Sequence, residues 1–219
     1  MPTAQTVTLD LVADVICPWC YIGRRWLHAA LAELAAEGLH ITPVWRPFLL
    51  YPDAPAGGFA QAAHLLRRFG SAAAADRYHD GVAEAGRVVG LTFRYDHITV
   101  TPNTTDAHRL LLAAPPGTQG ALADALAHAF FTDGADLGDR SVLCRLAATA
   151  GMDSVAARAV LDSDRYTAEV QSSDQATRQS GIKNVPTFCL HGRILNVPDV
   201  EALAGVLRSV HRALAVAGP

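Results

Sequence analysis

Three consecutive runs decide the fold: Val7-Thr8-Leu9-Asp10-Leu11-Val12-Ala13-Asp14-Val15, then Cys17-Pro18-Trp19-Cys20, then Arg24-Arg25-Trp26-Leu27-His28-Ala29-Ala30-Leu31-Ala32-Glu33-Leu34. The first alternates with period two and is rich in β-branched residues, which predicts a strand. The last repeats its apolar positions at helical spacing. The two cysteines therefore fall where a strand ends and a helix begins, and Pro18 occupies a first-turn position that tolerates proline. A helix start presents unpaired N–H groups and the positive end of the helix dipole. Both favour a thiolate, so Cys17 is expected to carry a lowered pKa and to act as nucleophile. Cys20, one turn further on, is the expected resolving thiol, because a mixed disulfide at Cys17 needs a neighbouring thiol to release the product.

The same spacing can form half of a zinc site, which requires about four ligands. No second close cysteine pair exists, since Cys144 and Cys189 are isolated. Redox chemistry is therefore the reading, with no metal, nucleotide or flavin implied. Cys144 and Cys189 are expected to be small buried hydrophobes.

The 219 residues suit one domain with an insertion, and a 50% hydrophobic, 18% charged composition supplies a substantial core. A net charge of −3 without a basic tract argues against a nucleic-acid partner. Neither a signal peptide nor a membrane-spanning run is read from the sequence, so a soluble, cytoplasmic protein is expected. In that compartment a cysteine pair is more often catalytic than structural. Nothing in the surface pattern specifies an oligomeric state.

Beyond the first helix, His40 to Phe48 reads as a second strand parallel to the first, with Pro43 arguing for an edge position or a bulge. Residues 49–58 are too rich in proline and glycine for regular structure and mark a boundary. From Phe59 to about Gly181 the chain reads as helical, apart from a short extended piece at Gly90–Asp96. Asn103 is the expected cap of a helix through His108. Strand character returns at Val185–Leu190, followed by a His191-Gly192 turn and a short Arg193–Val197 strand. Asp199 caps a final helix from Val200 to about Val216. The order β-α-β, helical block, β-β-α gives an α/β class: a thioredoxin fold interrupted by an all-helical insertion. The parts are residues 1–55, the insertion 56–181, and 182–219.

Cys17-Pro18-Trp19-Cys20-Tyr21-Ile22-Gly23, Trp45-Arg46-Pro47-Phe48, Pro102-Asn103-Thr104 with Ala107-His108, and Gly181-Ile182 before Val185-Pro186-Thr187-Phe188 resemble the DsbA-like thiol–disulfide oxidoreductases, specifically the FrnE-type branch. The resemblance implies exchange of disulfides with protein or small-molecule thiols, in the cytoplasm or in secondary-metabolite (polyketide) biosynthesis. It also implies a cis bond between Val185 and Pro186, with both residues shaping the surface on which substrate docks. Trp19 and Pro18 would touch substrate beside the thiols. Asn103 and His108, from the insertion, would reach the active-site groove, and Arg46 would hold a substrate carboxylate. Asp14, three residues before Cys17, is either a proton relay for Cys20 or a hydrogen-bonded strand end. A related branch suggests an alternative: glutathione-dependent isomerases and transferases of the 2-hydroxychromene-2-carboxylate isomerase and kappa type, acting on small aromatic molecules. Those relatives usually carry serine where Cys17 stands and lack the second thiol. Glutathione remains a candidate co-substrate under either reading.

Overall fold

The computed structural model describes residues 7–115, 117–195, 197 and 202–209. Strand β1 (Val7–Ala13) runs into a two-residue turn at Val15–Ile16 and then into helix α1 (Pro18–Ala36). The helix returns the chain to β2 (Ile41–Pro47), parallel to β1 with Leu11 opposite Trp45. Helix α1 buries Ile22, Leu27, Ala30 and Leu34 almost completely. Each such leucine contributes about 1.5–3 kcal/mol of apolar burial.

The chain then leaves the sheet. A two-residue strand β3 (Phe59–Ala60) leads into α2 (Gln61–Phe69) and α3 (Ala72–Val88). A single 3-10 turn at Tyr95–His97 precedes β4 (Val100–Thr101), which pairs antiparallel with β3. The block is thus helical except for this short ladder. The piece expected to be extended at Gly90–Asp96 forms no strand; part of it is the 3-10 turn, fixed where Arg94 N–H donates to the Phe131 carbonyl at 2.7 Å. Next come α4 (Thr105–Ala113), α5 (Thr118–Phe131), α6 (Arg140–Thr149), α7 (Ser154–Leu161) and α8 (Thr167–Gln179). The buried Arg109 ties them together, pairing with Asp106 at 2.5 Å and donating to the carbonyls of Arg165, Val160 and Ser163.

The chain re-enters the sheet as a hairpin, β5 (Thr187–Leu190) and β6 (Arg193–Leu195). The hairpin turns on His191 and Gly192, both at positive φ, as tight hairpin turns require. Strand order is β2-β1-β5-β6, with β5 antiparallel to β1 and β6. Strand β2 is therefore an edge, one of the two positions Pro43 allows. Its Trp45 N–H is covered by Gln119 Oε1 of α5 at 3.0 Å, which blunts the edge against pairing with another chain. Residues 202–209 are helical, and Arg208 pairs with Glu33 and Glu37 of α1. The expected cap Asp199 and both ends of that final helix lie outside the described residues, as does residue 196. The architecture is a thioredoxin fold with a helical insertion.

Candidate active site

Cys17 is the N-cap residue of α1, with extended backbone angles and Pro18 following it in the first turn. No acidic residue stands in that turn, so the positive end of the helix faces no carboxylate of its own. The Cys17 Sγ–H donates to the Val185 carbonyl at 3.5 Å, across 168 residues of sequence. The next peptide bond, Val185–Pro186, is cis. Cys20 lies one turn further into the helix, 1% exposed, and its backbone N–H donates to the Cys17 carbonyl at 3.0 Å. Burial, and then the neighbouring Cys17, push the Cys20 thiol well up, so it stays protonated. Both cysteines are free thiols, as are Cys144 and Cys189. Cys189 is buried in β5; Cys144 is half-buried on α6.

Gly23 is the residue that lets the loop bearing Pro186 approach the helix. A Cβ at position 23 would stand 2.8 Å from Pro186 Cγ and 3.4 Å from Pro186 Cβ. The sequence motif contains this glycine, but only the packing shows its purpose.

Behind the thiols sits Asp14, fully buried at the end of β1. Its carboxylate accepts from Ile16 N–H at 3.3 Å, Leu50 N–H at 2.7 Å, Thr104 Oγ1–H at 3.3 Å and His108 Nε2–H at 3.3 Å. The Trp45 indole N–H can only donate, and it donates to His108 Nδ1 at 3.0 Å. That assigns the ring proton of His108 to Nε2, leaving the imidazole neutral and directed at Asp14. One carboxylate thus gathers the reactive loop, the chain after β2 and the start of α4. With four donors already satisfied, its geometry is that of a structural hub, the plainer of the two readings the sequence allowed.

Several expected contacts resolve differently. His108 is 0% exposed with both ring nitrogens engaged, so no substrate reaches it; it holds Asp14 instead. The N-cap position of α4 is Thr104, whose side chain makes no capping bond; Asn103, one residue earlier, supplies one instead. Its side chain donates to the Ala54 carbonyl at 2.6 Å and accepts from Thr105 N–H at 2.9 Å, pinning the 49–58 connection to α4. Arg46 pairs with Asp10 at 2.9 Å and lines a separate groove that contains Cys189 rather than Cys17. Trp19 is 38% exposed. Trp19, Trp26, Pro186, Phe188 and Ile194 line an apolar groove of roughly 350 Å³.

A second recess adjoins the loop through Ile16 and Pro18. It measures about 60 Å³, and its far wall comes from the insertion: His64, Tyr78, Tyr95 and Phe131. The hydroxyls of Tyr51, Tyr78 and Tyr95 are each pushed up, foremost by burial. No sequence signal marks these tyrosines, which sit in three different segments with no shared spacing.

The model of the family described as DSBA-like thioredoxin domain matches residues 8–208. The chain belongs to that family. Among solved DsbA-like structures, a probable DsbA oxidoreductase from Streptomyces coelicolor superposes with a TM-score of 0.82 at 28% identity, over 93% of this chain and 89% of that one. Two more distant likenesses concern the fold. The 2-hydroxychromene-2-carboxylate isomerase structure gives 0.64 at 15% identity, covering 94% of this chain and 96% of that one. The cytosolic disulfide reductase DsbM of Pseudomonas aeruginosa, solved with GSH, gives 0.61 at 20%, covering 95% and 99%. The DsbA-like family places this chain among thiol–disulfide oxidoreductases.

Proposed function

We propose that this DsbA-like protein exchanges disulfides through Cys17 and Cys20, in the manner of the FrnE-type branch. The supporting observation is the placement of Cys17: it caps α1, lies within reach of Cys20, and is hydrogen-bonded to the carbonyl that precedes Pro186. The positive end of a helix favours negative charge on its capping group. Cys20 is held as a thiol by burial, so attack begins at Cys17. The Cys17 thiolate displaces one sulfur of a substrate disulfide, which leaves as a thiolate, and a mixed disulfide forms. Cys20 then loses its proton and attacks Cys17 Sγ. The second substrate sulfur departs, and a Cys17–Cys20 disulfide holds the two-electron oxidation. Run backwards, the same steps oxidise a dithiol.

Pro18, Trp19, Val185 and Pro186 form the docking surface in this reading. Asn103, His108 and Arg46 take no part in substrate contact. The redox equivalents reside in the cysteines, without a bound cofactor. Glutathione is a candidate co-substrate, a reading supported by the DsbM structure solved with GSH. That protein is described as cytosolic, and no helix of this chain's described residues is long and apolar enough to cross a membrane; a cytoplasmic setting is proposed on that footing. The isomerase alternative is less favoured because both thiols are present and mutually placed.

Insulin reduction with dithiothreitol as donor tests the proposal. The wild type is expected to accelerate precipitation of the insulin B chain, and Cys17→Ser to run at the uncatalysed rate. Equal rates for the two proteins would remove it.

A further inference from the structure

Among the described residues, two buried side-chain atoms find no hydrogen-bond partner: His64 Nε2 and the Tyr95 hydroxyl. Both residues line the recess beside Ile16 and Pro18. Buried polar groups are nearly always paired, so two unpaired ones on residues that line one recess beside the reactive loop require an explanation. Neither can swing away to find a partner easily. His64 stacks on Phe59, with centroids 5.5 Å apart, and meets the Tyr51 ring edge-on at 4.4 Å. Tyr95 stacks on His79 at 3.7 Å and meets Phe131 edge-on. Both rings are thus held in place beside the recess.

The charge state of the cavity is also set. Burial, reinforced by Arg67 and Arg68, pushes the His64 imidazole down, so it is neutral near pH 7. Burial pushes the Tyr95 hydroxyl up, so it keeps its proton. The lining includes no carboxylate, and its one arginine, Arg68, is exposed and stacked over Phe69. The enclosed part therefore offers neutral donors and acceptors between aromatic walls. Its volume of about 60 Å³ is small. A cavity that accepts a benzene ring measures about 150 Å³, so this space suits a short arm and not a further ring. A cysteine residue within a polypeptide continues in two directions from its Cα and suits the open groove along Trp19 instead. An arm that ends in the recess belongs to a small molecule.

We propose that this recess is a specificity subsite that takes the short, uncharged, hydrogen-bonding arm of a small-molecule disulfide, of the alcohol or amide type, with its polar end between His64 and Tyr95. The inference rests on disulfide exchange at Cys17 and names a substrate class for it.

The test uses the reduced wild-type protein and three symmetrical disulfides with arms of similar length: bis(2-hydroxyethyl) disulfide, dipropyl disulfide and 3,3′-dithiodipropionate. Loss of the Cys17 thiol is followed for each, and each rate is divided by that of a free model thiol to remove intrinsic reactivity. The hydroxyethyl disulfide is expected to react about tenfold faster than the dipropyl compound, as satisfying two buried partners implies. It is likewise expected to outpace the charged one. Tyr95→Phe and His64→Phe, which keep an aromatic ring in place, are expected to erase most of that preference while leaving the dipropyl rate unchanged. Equal normalised rates in the wild type, a preference for the carboxylate arm, or a preference that survives both substitutions would each overturn the subsite. Failure of Cys17 to react with any of the three would count against disulfide exchange itself, a distinguishable result.

Discussion

The groove along Trp19, Trp26 and Ile194 and the recess in front of Tyr95 adjoin the same reactive loop through different residues, Trp19 and Pro186 for the one, Ile16 and Pro18 for the other. The groove is open, apolar and built from α1 and the β5–β6 hairpin, all of it within the sheet and its first helix. The recess is small, aromatic and walled by α2, α3 and α5 together with the segment around Tyr95. The reactive loop therefore borders two environments. The thioredoxin part alone gives a surface on which an extended chain can lie. The insertion adds a smaller recess of about 60 Å³ with aromatic walls. On the proposed subsite and exchange chemistry, specificity would be written by the insertion and reactivity by the start of α1.

Four experiments would break or sharpen that contrast. The largest effect is common to both sides: Cys20→Ser should lower disulfide turnover on the order of a hundredfold or more, because the mixed disulfide at Cys17 then lacks its resolving thiol. Intact-mass analysis should find the trapped adduct, with a single turnover preserved. Asp14→Leu removes the hub behind the loop and leaves four donors unsatisfied. A loss of about 3 kcal/mol or more is expected in urea unfolding. His108→Leu should cost less, since it frees only the Trp45 indole and one Asp14 contact.

Gly23→Ala separates the two sides. The new methyl would displace Pro186, which lines the groove and not the recess. Insulin turnover should fall about tenfold, with a stability cost of about 1–3 kcal/mol from overpacking. The rate with hydroxyethyl disulfide should change less than twofold. The smallest effect is acid sensitivity of the insertion side. Burial depresses His64 and His79 in the folded protein. For a depressed group the stability it contributes is present above the unfolded value, about 6.5 for histidine. That contribution is lost as pH falls through the folded value. Thermal midpoints should therefore decline between pH 7 and 5, and the decline should be shallower in His64→Phe.

Much of this was legible in the residues. The change of period from two to 3.6 across Cys17–Cys20 located the strand, the helix and the thiols at their junction. Pro43 narrowed β2 to an edge or a bulge, and the positive-φ pair His191-Gly192 closed the hairpin where the turn residues said it would. The short β3–β4 ladder was missed because two residues carry no periodicity. Asn103 and His108 were read as reaching for substrate, and both instead spend their polar atoms on neighbours, Ala54 and Thr105 for one, Trp45 and Asp14 for the other. A polar residue near a site reads the same in sequence whether it faces the cleft or the core.

By itself, the amino-acid order determined what depends on neighbours a few positions apart: which runs alternate, which wind, where proline and glycine interrupt them, and that two thiols stand one helical turn apart. Tertiary structure alone decided which distant groups meet. It set Cys17 against Val185 across 168 residues, Asp14 against His108 across 94, and His64 and Tyr95 on the walls of one recess. Local patterns arise from hydrogen bonds and burial that recur with fixed spacing. Contacts between remote segments have no spacing to betray them, because they are fixed by how whole elements pack.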